Sequence, residues 1–150
     1  RFPLGWEDIL RDISRMGYRV LLAHPERCAQ LAAEPELVKD IASIDASIQI
    51  NWESLLGLNG RHARNVALAF AAERRIHCVA TDSHDSQIRS PEMVARGLEA
   101  MVSLVGERNL SRLMIENPHR VLEGEKIEDL EGIEGLSANA HVRKKWFQFS

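Results

Sequence analysis

Three short apolar runs in this 150-residue chain end on residues able to hold a metal ion or a phosphate. "YRVLLAHPER" leads into His24, Pro25, Glu26 and Arg27, "ASIQIN" ends on Asn51, and "IHCVA" leads into "TDSHD", residues 81–85. Asp82 and His84 stand two apart, and at the end of an extended strand residues i and i+2 point the same way. A carboxylate and an imidazole on one side suit zinc, manganese or iron. His24, at the end of another strand, is a third candidate ligand. Arg27 and Arg89 follow the two histidines and are the candidates for gripping an anion, since a guanidinium holds phosphate oxygens in a two-pronged fashion. The plainer alternative is that Asp82 caps a turn and that His84 and the arginines are surface residues; D-x-H alone is a weak motif.

The remaining histidines, His62, His77, His119 and His141, read as structural or solvated. Cys28 and Cys78 read as small packed residues. No G-x-S-x-G occurs, and no C-x5-R follows either cysteine, because the sixth residue on is Glu34 or His84.

Helical segments must position these strand ends. "GWEDILRDISRMG" carries Trp6, Ile9, Leu10, Ile13 and Met16 at helical spacing, with Gly17 as a stop. "ERCAQLAAEPELVKDIAS" predicts one short helix and then another opened by Pro35. "RHARNVALAFAAERR" predicts a long helix after Asn59-Gly60. "SPEMVARGLEAMVSLVG" predicts a helix with Ser90 as cap and Pro91 at its first position, and "NLSRLMIEN" and "NPHRVLEG" continue helically. Strands separated by helices imply an α/β chain with a parallel sheet of right-handed units, in which ligands sit at the carboxyl ends of the strands. Residues 1–124 are expected to form the domain. Residues 125–150, acidic and glycine-spotted and then basic and aromatic, are expected to form a loosely held tail.

Composition narrows the function classes. A net charge of −3 and 5% aromatic residues argue against general nucleic-acid binding and base stacking. Two distant cysteines without a C-x-x-C fit a cytoplasmic location. No apolar run approaches the roughly 18–20 residues of a membrane span.

"GYRVLLAHPER", "IQINWESLLGLNG", "VATDSHDSQIRSPEM" and "ENPHRVL", in this order over about residues 17–122, resemble the bacterial capsule-biosynthesis tyrosine-protein phosphatases of the polymerase-and-histidinol-phosphatase (PHP) superfamily. The resemblance implies a distorted (β/α) barrel with two or three divalent metals, manganese, iron, zinc or cobalt. It implies that His24, Asp82 and His84 are metal ligands and that Arg27 and Arg89 hold the substrate phosphate. Water activated by the metals would attack phosphorus directly, without a phosphocysteine. The substrate would be a phosphotyrosyl protein, a bacterial tyrosine kinase tail in the capsule branch. Cys28 stands where an aromatic usually follows H-P-E-R, and Thr81-Asp82-Ser83-His84 stands where S-D-A-H is usual.

The family's opening H-x-H pair is absent from these residues. The chain therefore resembles the C-terminal half to two-thirds of the barrel. A multinuclear centre built from it alone is expected to be incomplete, the isolated chain weak or inactive, and its open sheet edge a route to homo-oligomers. Two alternatives stay open. One is a hydrolase of histidinol phosphate or another small phosphoester; the other is a non-catalytic PHP-like binding module.

Overall fold

The runs VLLA, ASIQIN and CVA pair side by side as three parallel strands: β1 (Val20–Ala23), β2 (Ala46–Asn51) and β3 (Cys78–Ala80), in that spatial order. The structure is a computed structural model and describes residues 2–84 and 91–131. Around the sheet run α1 (Trp6–Arg15), α2 (Ala29–Ala33), α3 (Leu37–Ser43), α4 (Trp52–Leu56), α5 (Arg61–Ala72), α6 (Pro91–Val105), α7 (Glu107–Ser111) and α8 (Asn117–Leu122). A 3-10 turn, Pro25–Arg27, follows β1, and a π-helical turn, Arg112–Glu116, joins α7 to α8.

Register aligns the strand ends. Ala23 pairs with Gln49, Gln49 with Cys78 and Asn51 with Ala80. Parallel pairing with short offsets puts His24, Asn51 and the residues after Ala80 at one end of the sheet, as expected from the sequence. β2 lies in the middle, and Ile48 and Ile50 are fully buried against a core that includes Phe70, Leu31, Ile41 and Leu113. β1 is an edge strand with a barer face, and its Leu21 and Ala23 are exposed.

The helices begin and end for local reasons. Gly17 takes a left-handed backbone (φ 88), which lets Tyr18 N–H reach the Ile13 carbonyl and Gly17 N–H the Ser14 carbonyl, closing α1. α5 ends in the same pattern with Arg74 in the left-handed position (φ 56) and Arg75 N–H on the Phe70 carbonyl. Arg75 then donates to the carbonyls of Ile44 and Ala46, where β2 begins. α4 was not foreseen from the sequence. It starts directly after β2, in a stretch too short for helical periodicity to register. Ser90, the expected cap of α6, lies outside the described residues.

Residues 128–131, expected to lie in a loose tail, are held to the domain by hydrogen bonds and by one buried side chain. Leu130 is buried, Asn117 donates to the carbonyls of His77 and Glu128, and Arg112 donates to the Asp129 carbonyl and the Glu131 carboxylate. Asn109, which accepts the Glu131 N–H, Asn117 and the buried Arg112 hold this segment, a pattern that composition does not reveal.

His77, just before β3, is buried. Its Nδ1 accepts the Ile48 N–H at 2.9 Å, and its Nε2 stands 3.3 Å from Asp129 Oδ1. Burial holds its pKa below the ordinary 6.5, with the Arg75 charge adding to the effect. A proton on Nδ1 would remove the acceptor of a buried N–H.

Two outcomes follow from this packing. An ideal Cβ at Gly97 of α6 would stand 2.2 Å from the Trp52 ring. Gly97→Ala should therefore destabilise the fold by about 1–3 kcal/mol in urea unfolding, although alanine is the better helix former by about 1 kcal/mol. The stabilisation from neutral His77 is present above about pH 6.5 and is lost as pH falls through its lowered folded pKa. His77→Asn, which keeps an acceptor, should flatten the loss of stability measured as pH falls from about 6.5.

Candidate metal and phosphate site

His24 N–H donates to the Gln49 carbonyl at 2.8 Å, so the ladder of β1 reaches this residue. His24 then turns left-handed (φ 39, ψ 47), a strained backbone for a residue with a Cβ. Pro25 follows with its fixed φ, and one 3-10 turn closes with Arg27 N–H on the His24 carbonyl. This kink is why an apolar strand stops on a histidine. It leaves His24 exposed, buries Glu26 and sends Arg27 outward.

Glu26 is 1% exposed, and its Oε1 accepts the Asn51 N–H at 3.0 Å and the Ser54 hydroxyl at 2.9 Å. The carboxylate of the β1 turn thus caps the start of α4, behind β2. Burial raises its pKa above the ordinary 4.5, while the hydrogen bonds from Asn51 and Ser54 pull it down. Its second oxygen, Oε2, has no hydrogen-bond partner among the described residues.

The β3 end joins through Asp82. Its Oδ2 accepts from Arg27 Nη1 at 3.1 Å and from Asn51 Nδ2 at 3.0 Å. Gln49 Nε2 donates to Asn51 Oδ1 at 3.2 Å. The Asp82 side chain is 19% exposed.

Asp82 and His84 are neighbours, but not as consecutive same-face residues of a strand. β3 stops at Ala80, and Asp82 is left-handed (φ 49). The turn brings His84 Nδ1 to 2.7 Å from the Asp82 carbonyl oxygen and 3.6 Å from its Oδ1. A carbonyl only accepts, so this hydrogen bond needs the proton on Nδ1 and leaves the lone pair on Nε2. A histidine that ligates a metal through one nitrogen is commonly held through the other in this way.

Asp82, His84 and His24 supply the oxygen and nitrogen donors a divalent cation takes. Among the described residues, however, no three His, Cys, Asp or Glu side chains gather closely enough to hold a metal ion. Of the expected gathering of His24, Asp82 and His84, the described residues bring together Asp82 and His84 while His24 is not gathered with them; the contact of Arg27 with Asp82 was not expected. Arg89 lies outside the described residues. Sequence reasoning missed Glu26, whose position between Pro25 and Arg27 carries no periodic signal, and it noted Asn51 only as a polar strand end. Arg27 also walls an open cleft of about 450 Å³ shared with Glu26, Cys28, Asn59 and His62. The other thiol, Cys78, is pushed up to about 11 by burial, which fits a packed residue and not a nucleophile.

Comparison with known proteins points the same way. A family model described as "Capsular polysaccharide synthesis, CpsB/CapC" matches residues 6–123. The tyrosine-protein phosphatase CpsB of Streptococcus agalactiae serotype III (strain NEM316) is 30% identical over 131 residues, covering 82% of this chain and 54% of that protein. The tyrosine-protein phosphatase YwqE of Bacillus subtilis (strain 168) is 31% identical over 88 residues, 59% of this chain and 35% of that one. A solved chain from the work titled "Crystal structures of YwqE from Bacillus subtilis and CpsB from Streptococcus pneumoniae, unique metal-dependent tyrosine phosphatases" matches with a TM-score of 0.72 at 26% identity, over 86% of this chain and 51% of that chain. The chain spans about half the length of these S. agalactiae and solved relatives.

Glu26→Ala leaves a buried N–H and a buried hydroxyl without their acceptor and should lower unfolding free energy by about 2–4 kcal/mol. Glu26→Gln keeps one acceptor oxygen and should hold the fold. The contribution of the Glu26 carboxyl is present below pH 4.5 and lost as pH rises through its raised folded pKa. Chemical denaturation across that window should therefore show a shallower decline for Glu26→Gln than for wild type.

Proposed function

The chain belongs to the CpsB/CapC family of capsular polysaccharide synthesis, and we propose that it carries part of the active site of a metal-dependent protein-tyrosine phosphatase. The observation that supports this best is the contact of Arg27 and Asn51 with one oxygen of Asp82, which brings the ends of all three strands to one place. On this reading the three strands are part of a PHP-type distorted barrel. His24, Asp82 and His84 belong to a larger ligand set for two or three divalent ions, of manganese, iron, zinc or cobalt type. Such ions activate water and neutralise charge on the phosphoryl group.

The chain's own residues have separate tasks. Arg27, beside Asp82 and on the wall of the open cleft, grips phosphate oxygens, and Arg89 joins it in this role. His84 keeps its proton on Nδ1 against the Asp82 carbonyl, so Nε2 remains a ligand. The substrate class is a phosphotyrosyl protein, a bacterial tyrosine kinase tail, acted on in the cytoplasm. No helix of the described residues is long and apolar enough to cross a membrane. The edge of β1, unpaired among the described strands, is where further strands of such a barrel would continue the sheet, and in the isolated chain it offers a surface for association, including with a second copy.

The test is hydrolysis of a phosphotyrosyl peptide by the intact protein with added Mn²⁺, with histidinol phosphate as the competing substrate. Asp82→Ala and His84→Ala should remove metal-dependent turnover. Arg27→Ala should lower kcat/KM by about 10²–10³-fold, the scale of losing one preorganised charge contact. Turnover that survives chelation, or preference for histidinol phosphate, would contradict the proposal.

A further inference from the structure

We propose that Asn51 is a positioning residue of this site: its buried amide sets the direction of the Asp82 carboxylate toward a divalent cation. The proposal rests on the functional reading above and goes beyond it, because it assigns a task to a residue that is neither a ligand nor a phosphate contact.

Asn51 is 0% exposed and uses three of its polar groups in three directions. Its backbone N–H donates to Glu26 Oε1 at 3.0 Å, its Oδ1 accepts from Gln49 Nε2 at 3.2 Å, and its Nδ2 donates to Asp82 Oδ2 at 3.0 Å. A carboxylate only accepts, so Asp82 decides that the Asn51 NH₂ faces it, and Gln49 Nε2 donates to the Oδ1 left on the other side. The flipped amide would set its oxygen against the Asp82 carboxylate, a repulsive contact in place of an attractive one. The backbone is held as well, since Glu26 anchors the Asn51 N–H from the β1 turn. Asn51 is thus a fixed donor, while Asp82 lies in a left-handed turn beyond the last ladder pair of β3. Asp82 lies past the ladder, and Asn51 Nδ2 is one of the contacts that give its side chain a direction.

The Arg27 and Asn51 donors on Asp82 Oδ2 are not equivalent. The Arg27 side chain is 48% exposed, charged, and assigned above to the substrate phosphate. Asn51 is neutral and buried, and it remains on Asp82 whichever anion Arg27 grips. A neutral donor on one carboxylate oxygen holds the group without adding a positive charge that would oppose a cation. Partners that orient metal ligands in this way commonly govern affinity by about 10–100-fold.

The experiment is Mn²⁺ titration of the intact protein by calorimetry, with p-nitrophenyl phosphate turnover alongside. Asn51→Ala should weaken Mn²⁺ binding by about 10–100-fold, and turnover lost at low Mn²⁺ should return with excess Mn²⁺ while KM for the aryl phosphate stays unchanged. Gln49→Ala should act in the same direction and less. Asn109→Ala serves as the structural control: Asn109 is buried and holds the Val105 and Glu131 carbonyls through its amide, so its loss should lower stability and leave Mn²⁺ affinity at the wild-type value. Wild-type Mn²⁺ affinity in folded Asn51→Ala, or equal weakening by Asn109→Ala, would overturn the proposal. Should Asn51→Ala fail to fold, unchanged affinity in Gln49→Ala overturns it. A wild-type protein that binds no Mn²⁺ overturns the functional reading and this proposal together, whereas a wild type that binds Mn²⁺ and hydrolyses the ester beside indifferent Asn51 and Gln49 variants overturns this proposal alone.

Discussion

One oxygen of one carboxylate, Asp82 Oδ2, accepts hydrogen bonds from the turn after β1 and from the last residue of β2. Asp82 itself follows β3. The architecture of the site depends on this meeting, because parallel strands deliver their ends to one place only while their registers agree. Here they agree within two residues: Ala23, Gln49 and Cys78 lie on one row, and Asn51 and Ala80 on the row two further along. A charged pair at a half-exposed surface contributes little by itself. The worth of the Arg27–Asp82 contact lies in geometry, with the neutral buried Asn51 donor beside it.

The two ends of the sheet have different duties. Where β2 and β3 begin, polar groups are spent on holding the chain together: Arg75 on the carbonyls of Ile44 and Ala46, His77 on the Ile48 N–H, and Asn117 on the His77 carbonyl. At the other end the backbone is left-handed at both His24 and Asp82, neither of them glycine. Such strain persists where surrounding contacts over-determine it. Glu26 provides that constraint on the β1 side, at the expense of a buried carboxyl with one oxygen that has no partner among the described residues. The close approach of Trp52 to Gly97 fixes α6 over the start of α4, which completes the frame.

Much of this was legible in the sequence. The three strands, the helix–strand alternation and the polar strand ends follow from apolar runs and from Gly and Pro punctuation. The nearness of Asp82 and His84 followed from their i, i+2 spacing, whereas the contact of Arg27 with Asp82 was not foreseen. Nor was the turn geometry. Asp82 and His84 approach through a left-handed turn and not as same-face residues of a strand, because β3 is three residues long and stops before them. Glu26, Asn51 and Gln49 were not legible as a network, since their hydrogen bonds cross from one loop to the next and leave no local pattern. The packing of residues 128–131 was hidden for the same reason: Asn109, Arg112 and Asn117 hold that segment from helices earlier in the chain.

The most direct measurement is a crystal structure of the intact protein grown with Mn²⁺, read by anomalous scattering at the manganese edge. The account requires manganese peaks within coordination distance of an Asp82 carboxylate oxygen and of His84 Nε2, with Asn51 still donating to that carboxylate. Manganese bound elsewhere, with Asp82 and His84 outside its coordination shell, would contradict it.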